Sequence, residues 1–206
     1  MITLFEKFSD PTRTLVDYVY DLCHKKATIN YYSPKINVVK IKKLINDGAN
    51  IDSHDDKNTY GSILCMIVDL NNLPLVKFLI KKGAKLDERN SIGSTPLYYA
   101  AAEGYYDIVK CLIENGADIN IPNDSRITPL MASAYKSYWD IATLLLNKGA
   151  EINGFFGMNY KKDYNFQKLL IQLYPIEFID NTPPQNIHEG IKKEFPYLFA
   201  GINYNL

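Results

Sequence analysis

The sequence has no CxxC pair, no apolar run long enough to cross a bilayer, and no surplus of either charge. Each absence closes off a class of protein. The three cysteines, Cys23, Cys65 and Cys111, are odd in number and far apart. Neither a disulfide framework nor a cysteine-based zinc site is built that way, so the expected setting is a reducing interior, cytosol or nucleus. Lys and Arg total 23 against 23 for Asp and Glu. An even balance supplies no net field to draw in nucleic acid or an anionic membrane. No stretch of about 18 apolar residues occurs, so no membrane insertion is expected. The first residues, MITLFEKFSDPTRTL, carry charges inside their apolar part, unlike a secretory leader.

Catalytic constellations are missing from the pattern as well. There is no glycine loop for phosphate and no Gly-x-Ser-x-Gly. Cys23 and His24 are adjacent, and neighbours on a helix point about 100° apart, which does not make a dyad. Cys65 and Cys111 fall at apolar positions and read as small buried hydrophobes. Asp52, Asp55 and Asp56 cluster around His54, but without the spacing or the glycine of a calcium loop, so they read as a solvated turn. No cofactor and no metal are expected.

A period is present instead. Gly48-Ala49, Gly83-Ala84, Gly116-Ala117 and Gly149-Ala150 are spaced by 35, 33 and 33 residues, the interval of stacked two-helix units. Before each pair lies an apolar set at helical spacing. The sets are Ile41, Leu44, Ile45; Leu75, Val76, Leu79, Ile80; Ile108, Val109, Leu112, Ile113; and Ile141, Leu144, Leu145. Such spacing puts each set on one side of an outer helix. The glycine ends it, because the residue past a helix terminus often needs a left-handed backbone. Thr95-Pro96-Leu97 and Thr128-Pro129-Leu130 start a second helix, with threonine accepting from free N–H groups and proline fitting the first turn. Ala100, Ala101 and Ala102, like Ala132, Ser133 and Ala134, are small enough for neighbouring units to approach closely. The stretch between Gly116 and Thr128 is then the hairpin joining one unit to the next.

GSTPLYYAAAEGYYDIVKCLIENGADIN, residues 93–120, resembles an ankyrin repeat nearly throughout. A second copy is recognisable, and two more are degenerate. The resemblance implies an all-α ankyrin-repeat solenoid of helix-turn-helix units joined by β-hairpin loops. Its units are an N-terminal capping repeat at 1–52, a degenerate repeat at 53–87 and repeats at 88–120 and 121–153, with a C-terminal helical cap at 154–206. In the first unit TRTLVDYVYDLCHKK is the expected first helix. In the last segment Phe166, Leu169, Leu170 and Leu173, then Ile187, Ile191 and Phe195, are expected on helices that hide the end of the stack. Departures from the family pattern are informative. Arg126 stands where Gly93 stands one unit earlier, and a left-handed residue there costs on the order of 1 kcal/mol unless the turn adapts. Asn71 and Ser137 replace the mid-unit Gly104. Cys65, Tyr98 and Met131 replace the family's usual histidine, so aromatic packing is expected to substitute for its hydrogen bonds.

By the same resemblance, hairpin tips and inner-helix ends line a concave face for a protein partner. Position by position this implies Asn58 and Thr59, Ser91, Ile92 and Ser94, and Asp124, Ser125 and Ile127 at the tips. Asp69, Leu70, Ala102, Glu103, Tyr135 and Lys136 join them from the inner helices. Ile92 and Ile127, expected in water, and the amphipathic Tyr135 are the anchors of that set. The implied function is a non-enzymatic protein-binding module, monomeric when unbound and binding no nucleic acid. The other reading is an enzyme or ubiquitin-ligase adaptor whose C-terminal segment acts on the held partner, although no adaptor box is evident. Asn120 and Asn153 match the position at which asparaginyl hydroxylation is known in the family. The wealth of Ile, Asn, Lys and Tyr resembles the bias of AT-rich genomes, which include microbes and viruses that send ankyrin proteins into the host cytosol as effectors.

Overall fold

Helices of seven or nine residues are too short to persist alone in water, where about 12–15 residues are marginal, so these depend on caps and on packing. The computed structural model describes residues 10–28, 35–55 and 59–151. Among them are eight helices: α1 (Pro11–Thr28), α2 (Val38–Asn46), α3 (Ile63–Asp69), α4 (Leu73–Lys81), α5 (Pro96–Ala102), α6 (Tyr106–Glu114), α7 (Pro129–Tyr135) and α8 (Trp139–Asn147). The caps fall where the sequence places them. Thr95 accepts from the Tyr98 N–H at 3.1 Å and Thr128 from the Met131 N–H at 3.3 Å. Ser62 does the same work in the degenerate unit, accepting from Cys65 at 3.4 Å. Asn72 starts α4, accepting from Leu75 at 3.0 Å.

Inner helices α1, α3, α5 and α7 pack in line, and α2, α4, α6 and α8 each lie against the inner helix of their own unit. One apolar cluster runs from Leu15 in α1 to Ala150 without interruption. The predicted outer-helix sets supply it: Ile41, Leu75, Leu79, Ile108, Leu112, Ile141 and Leu145 are all but closed to solvent. Each such side chain contributes about 2 kcal/mol of burial. The first helix covers the predicted TRTLVDYVYDLCHKK, with Leu15, Val19 and Cys23 turned inward. The expected link at 31–37 lies partly, and the expected C-terminal cap wholly, outside the described residues.

The joining segments follow a hairpin course but form no ladder among the described residues, where one isolated antiparallel bridge pairs His54 with Ser62. Each turn is closed at its base instead, by the Asn90 N–H to the Ser94 carbonyl at 3.1 Å and the Asn123 N–H to the Ile127 carbonyl at 2.9 Å. The turn around Arg126 does not adapt. Arg126 takes φ +61°, close to the +73° of Gly93, and its N–H reaches Asn123 as that of Gly93 reaches Asn90. Arg126→Gly is therefore expected to raise stability by about 0.5–1 kcal/mol, the relief of the left-handed strain less the greater freedom of the unfolded chain. A higher urea midpoint at unchanged slope is the measurement.

A third set of contacts ties unit to unit. The backbone N–H of Lys85, Asp118 and Glu151, each just after a Gly-Ala pair, donates to a side-chain oxygen of the unit before, and that of Asn50, in the same position, donates to the first helix of its own unit. The acceptors are Asp52 at 3.0 Å, Asp87 at 3.0 Å, Asn120 at 2.8 Å and, for Asn50, Thr12 at 2.9 Å.

Candidate partner-binding face

An Asp or Asn opens each finger and shapes it. The Asp55 carboxylate accepts from the N–H groups of Thr59 and Tyr60, both at 2.9 Å. Asn90, nearly buried, does more. Its Oδ1 accepts from Ile92 at 3.2 Å and Ser94 at 2.8 Å, while Nδ2 donates to the Thr59 carbonyl at 3.1 Å and the Tyr99 hydroxyl at 3.0 Å. Asn123 repeats the acceptor half with Ser125 and Ile127. Tyr99 thus supplies a hydrogen bond to the finger, and it meets Tyr98 edge-on with ring centroids 6.4 Å apart. Burial pushes its phenol up to about 12, so Tyr99 stays a neutral hydroxyl at any ordinary pH.

The third and second fingers are locked together. The Asp124 N–H donates to the Ile92 carbonyl at 3.1 Å. Arg89 reaches the carbonyls of Gly93 and Pro122 and the Asp124 carboxylate at 2.8, 3.2 and 2.9 Å. The ion pair is half open to water and contributes little by itself, but the fork geometry fixes the two tips. Ile92 is held by both backbone groups while the residue stays 55% exposed.

Two of the predicted tip residues face the other way. Ser94 is fully buried, and Ile127 is half-buried against the core. They occupy the same place in successive units, directly before the capping threonine, where closure onto Asn90 or Asn123 turns the side chain inward. Ser94 is closed to a partner, and Ile127 gives part of its surface to the core. The Ser94 hydroxyl finds no hydrogen-bond partner among the described residues. Asp69 is also occupied: Lys26 of α1 donates to its carboxylate at 3.1 Å and to its carbonyl, and to the Tyr105 hydroxyl at 3.3 Å. Burial pulls the Lys26 ammonium down, but Asp69 and Tyr105 outweigh that and raise it above its ordinary value. Leu70 packs half-buried on the core and Ala102 is half-buried. Thr59, Ser91, Glu103, Asp124, Ser125, Tyr135 and Lys136 are exposed. Arg126, unpredicted as a site residue, stands exposed beside them. Asn58 and Asn153 lie outside the described residues. The Asn120 side chain is half-buried and serves Glu151 as an acceptor.

A family model described as ankyrin repeats, in three copies, matches residues 35–123 and again 64–155. The chain belongs to the ankyrin-repeat family. Ankyrin repeats are generally protein–protein interaction modules, typically without catalysis of their own. In this ankyrin stack the thiols have a structural place: Cys23, Cys65 and Cys111 are free and buried, and burial raises each of them, Cys65 to about 12. A thiol held so far from ionisation at neutral pH is a poor nucleophile. No described helix is long and apolar enough to cross a membrane.

Proposed function

We propose that the chain is a non-enzymatic module that grips a partner protein across the concave face of fingertips and inner-helix ends. The observation that carries this is the exposure of Ile92, at a fingertip, and Tyr135, at an inner-helix end, 55% and 71% open to solvent. An apolar side chain on a rigid, doubly bonded tip loses little ordering entropy on binding, and an open tyrosine is a preferred interface anchor. Thr59, Ser91, Glu103, Ser125, Arg126 and Lys136 would supply the polar rim. The free chain acts as a monomer in cytosol or nucleus. Where it is a secreted effector, the compartment is the host cytosol.

Affinity capture with the chain as bait, repeated with Ile92→Ser and Tyr135→Ser together, tests this. Both side chains are exposed, so the melting temperature should hold. Partner affinity should fall by at least about tenfold, the loss of one modest hot spot. A double variant that retains the wild-type partners moves the site off this face.

A further inference from the structure

Zero net charge conceals a segregation. Outer helices α2 and α4, VVKIKKLIN and LPLVKFLIK, carry Lys40, Lys42, Lys43, Lys77 and Lys81 and not one carboxylate. The fingers hold the opposite excess, with Asp52, Asp55, Asp87, Glu88, Asp118 and Asp124 against Lys85, Arg89 and Arg126. Between α4 and α6 runs a groove of about 590 Å³. Leu73, Ile80 and Cys111 lie along it, with the exposed Lys77, Lys81 and Lys110 at its edge. Asp107 and Glu114 of α6 also border the groove, so its positive side is the α4 side, continuous with α2. Lys42 and Lys82, 5.2 and 5.7 Å from the Phe78 ring centre, extend that basic side across the gap between the two helices.

We propose that this outer face is a second docking surface, taking an acidic segment of a partner protein whose apolar side chain enters the groove between α4 and α6. Charge complementarity selects the occupant's sign, and the groove selects its class. The half-buried Leu73 and Ile80 and the buried Cys111 lie among the exposed Lys77, Lys81 and Lys110, an apolar slot that one inserted side chain would fill. Arginine, the residue best suited to bidentate phosphate contacts, is absent from α2, α4 and α6. Phe78, the aromatic ring of α4, is covered by two ammonium groups instead of being open for base stacking. Opposite charges facing across the surface would speed encounter and make binding sensitive to salt.

The probe is a fluorescein-labelled peptide of Glu-Glu-Leu repeats, followed by anisotropy with the full chain. Saturable binding is expected, weakening as salt is raised and weaker for a peptide with Ser in place of Leu. Lys77→Glu, Lys81→Glu and Lys110→Glu together should raise Kd by at least about tenfold, the scale of losing close charge pairs. The Gln versions, which remove charge without reversing it, should act in the same direction, with helical circular dichroism confirming that both sets fold. The Ile92→Ser, Tyr135→Ser chain should bind the peptide as wild type does, which separates this surface from the concave one. Absence of saturable binding, or lysine variants that bind like wild type, would overturn the proposal. So would tighter retention of an oligothymidylate or of phosphatidylserine vesicles than of the peptide.

Discussion

Asn90→Ala is expected to lower the unfolding free energy by about 2–4 kcal/mol and to weaken partner capture with it, from a single side-chain amide. The amide satisfies four groups at once: the N–H of Ile92, the N–H of Ser94, the carbonyl of Thr59 and the hydroxyl of Tyr99. Ile92 and Thr59 lie at the exposed tips and can turn to water. Ser94 is closed to solvent and Tyr99 is half-buried. Each polar group left unpaired in such a place costs about 1–3 kcal/mol, more than the bond itself contributed. Asn90→Asp separates the halves, since it keeps both acceptor bonds and loses both donors, so its loss should fall between wild type and the alanine variant. Asn123→Ala, which strands two amides rather than four groups, should cost roughly half as much. Urea unfolding gives the free energies, and hydrogen exchange at the Ser94 amide reports the finger directly. An Asn90→Ala chain with a wild-type midpoint and a protected Ser94 amide would mean that water replaces the side-chain amide at no cost. Capture should weaken because Ile92 loses the bond that fixes its N–H, returning to the interface an ordering cost of about 1 kcal/mol per freed residue.

Gly104→Ala carries the second large effect, and two strains add at that position. The backbone stands at φ +79°, where a Cβ costs about 1–2 kcal/mol. An added Cβ would also lie 2.8 Å from carbons of the Tyr138 ring. That ring is packed on the core, so moving it aside disturbs its neighbours. Overpacking of this kind adds about 1–3 kcal/mol, for a total of about 2–5 kcal/mol. Ser137 occupies the same position one unit later at φ +61°. Ser137→Gly should therefore move stability the opposite way by a few tenths of a kcal/mol, up to about 1. Equal midpoints for Gly104→Ala and wild type would show that the ring moves without resistance.

Most of the stack can be read from the chain because its signals are local. A Gly-Ala pair every 33 or 35 residues marks where each outer helix must stop, and Ser62, Thr95 and Thr128 mark where inner helices begin. Apolar spacing then names the buried sides. The face is harder because exposure there turns on which backbone groups a neighbouring side chain accepts from. Ser94 looks like a polar tip residue until Asn90 is seen to draw its N–H inward, and Ile127 shares its fate for the same reason. The signal is present in outline, an Asx four residues before each position, but it names a turn only once the register is known. Asp69 is hidden by distance: Lys26 lies 43 residues upstream. The charge segregation is hidden by counting, since equal totals say nothing of which helix carries which sign.

The Lys26 clasp has a mechanical consequence. A column of units that touch only their neighbours can peel from either end, one unit after another. Here an ammonium from the first unit grips a carboxylate in the second and a phenol in the third. Pulling the third unit away loosens the first as well. The leading three should therefore let go as a single block, a spring with one stiff end, whose stiffness depends on a single lysine.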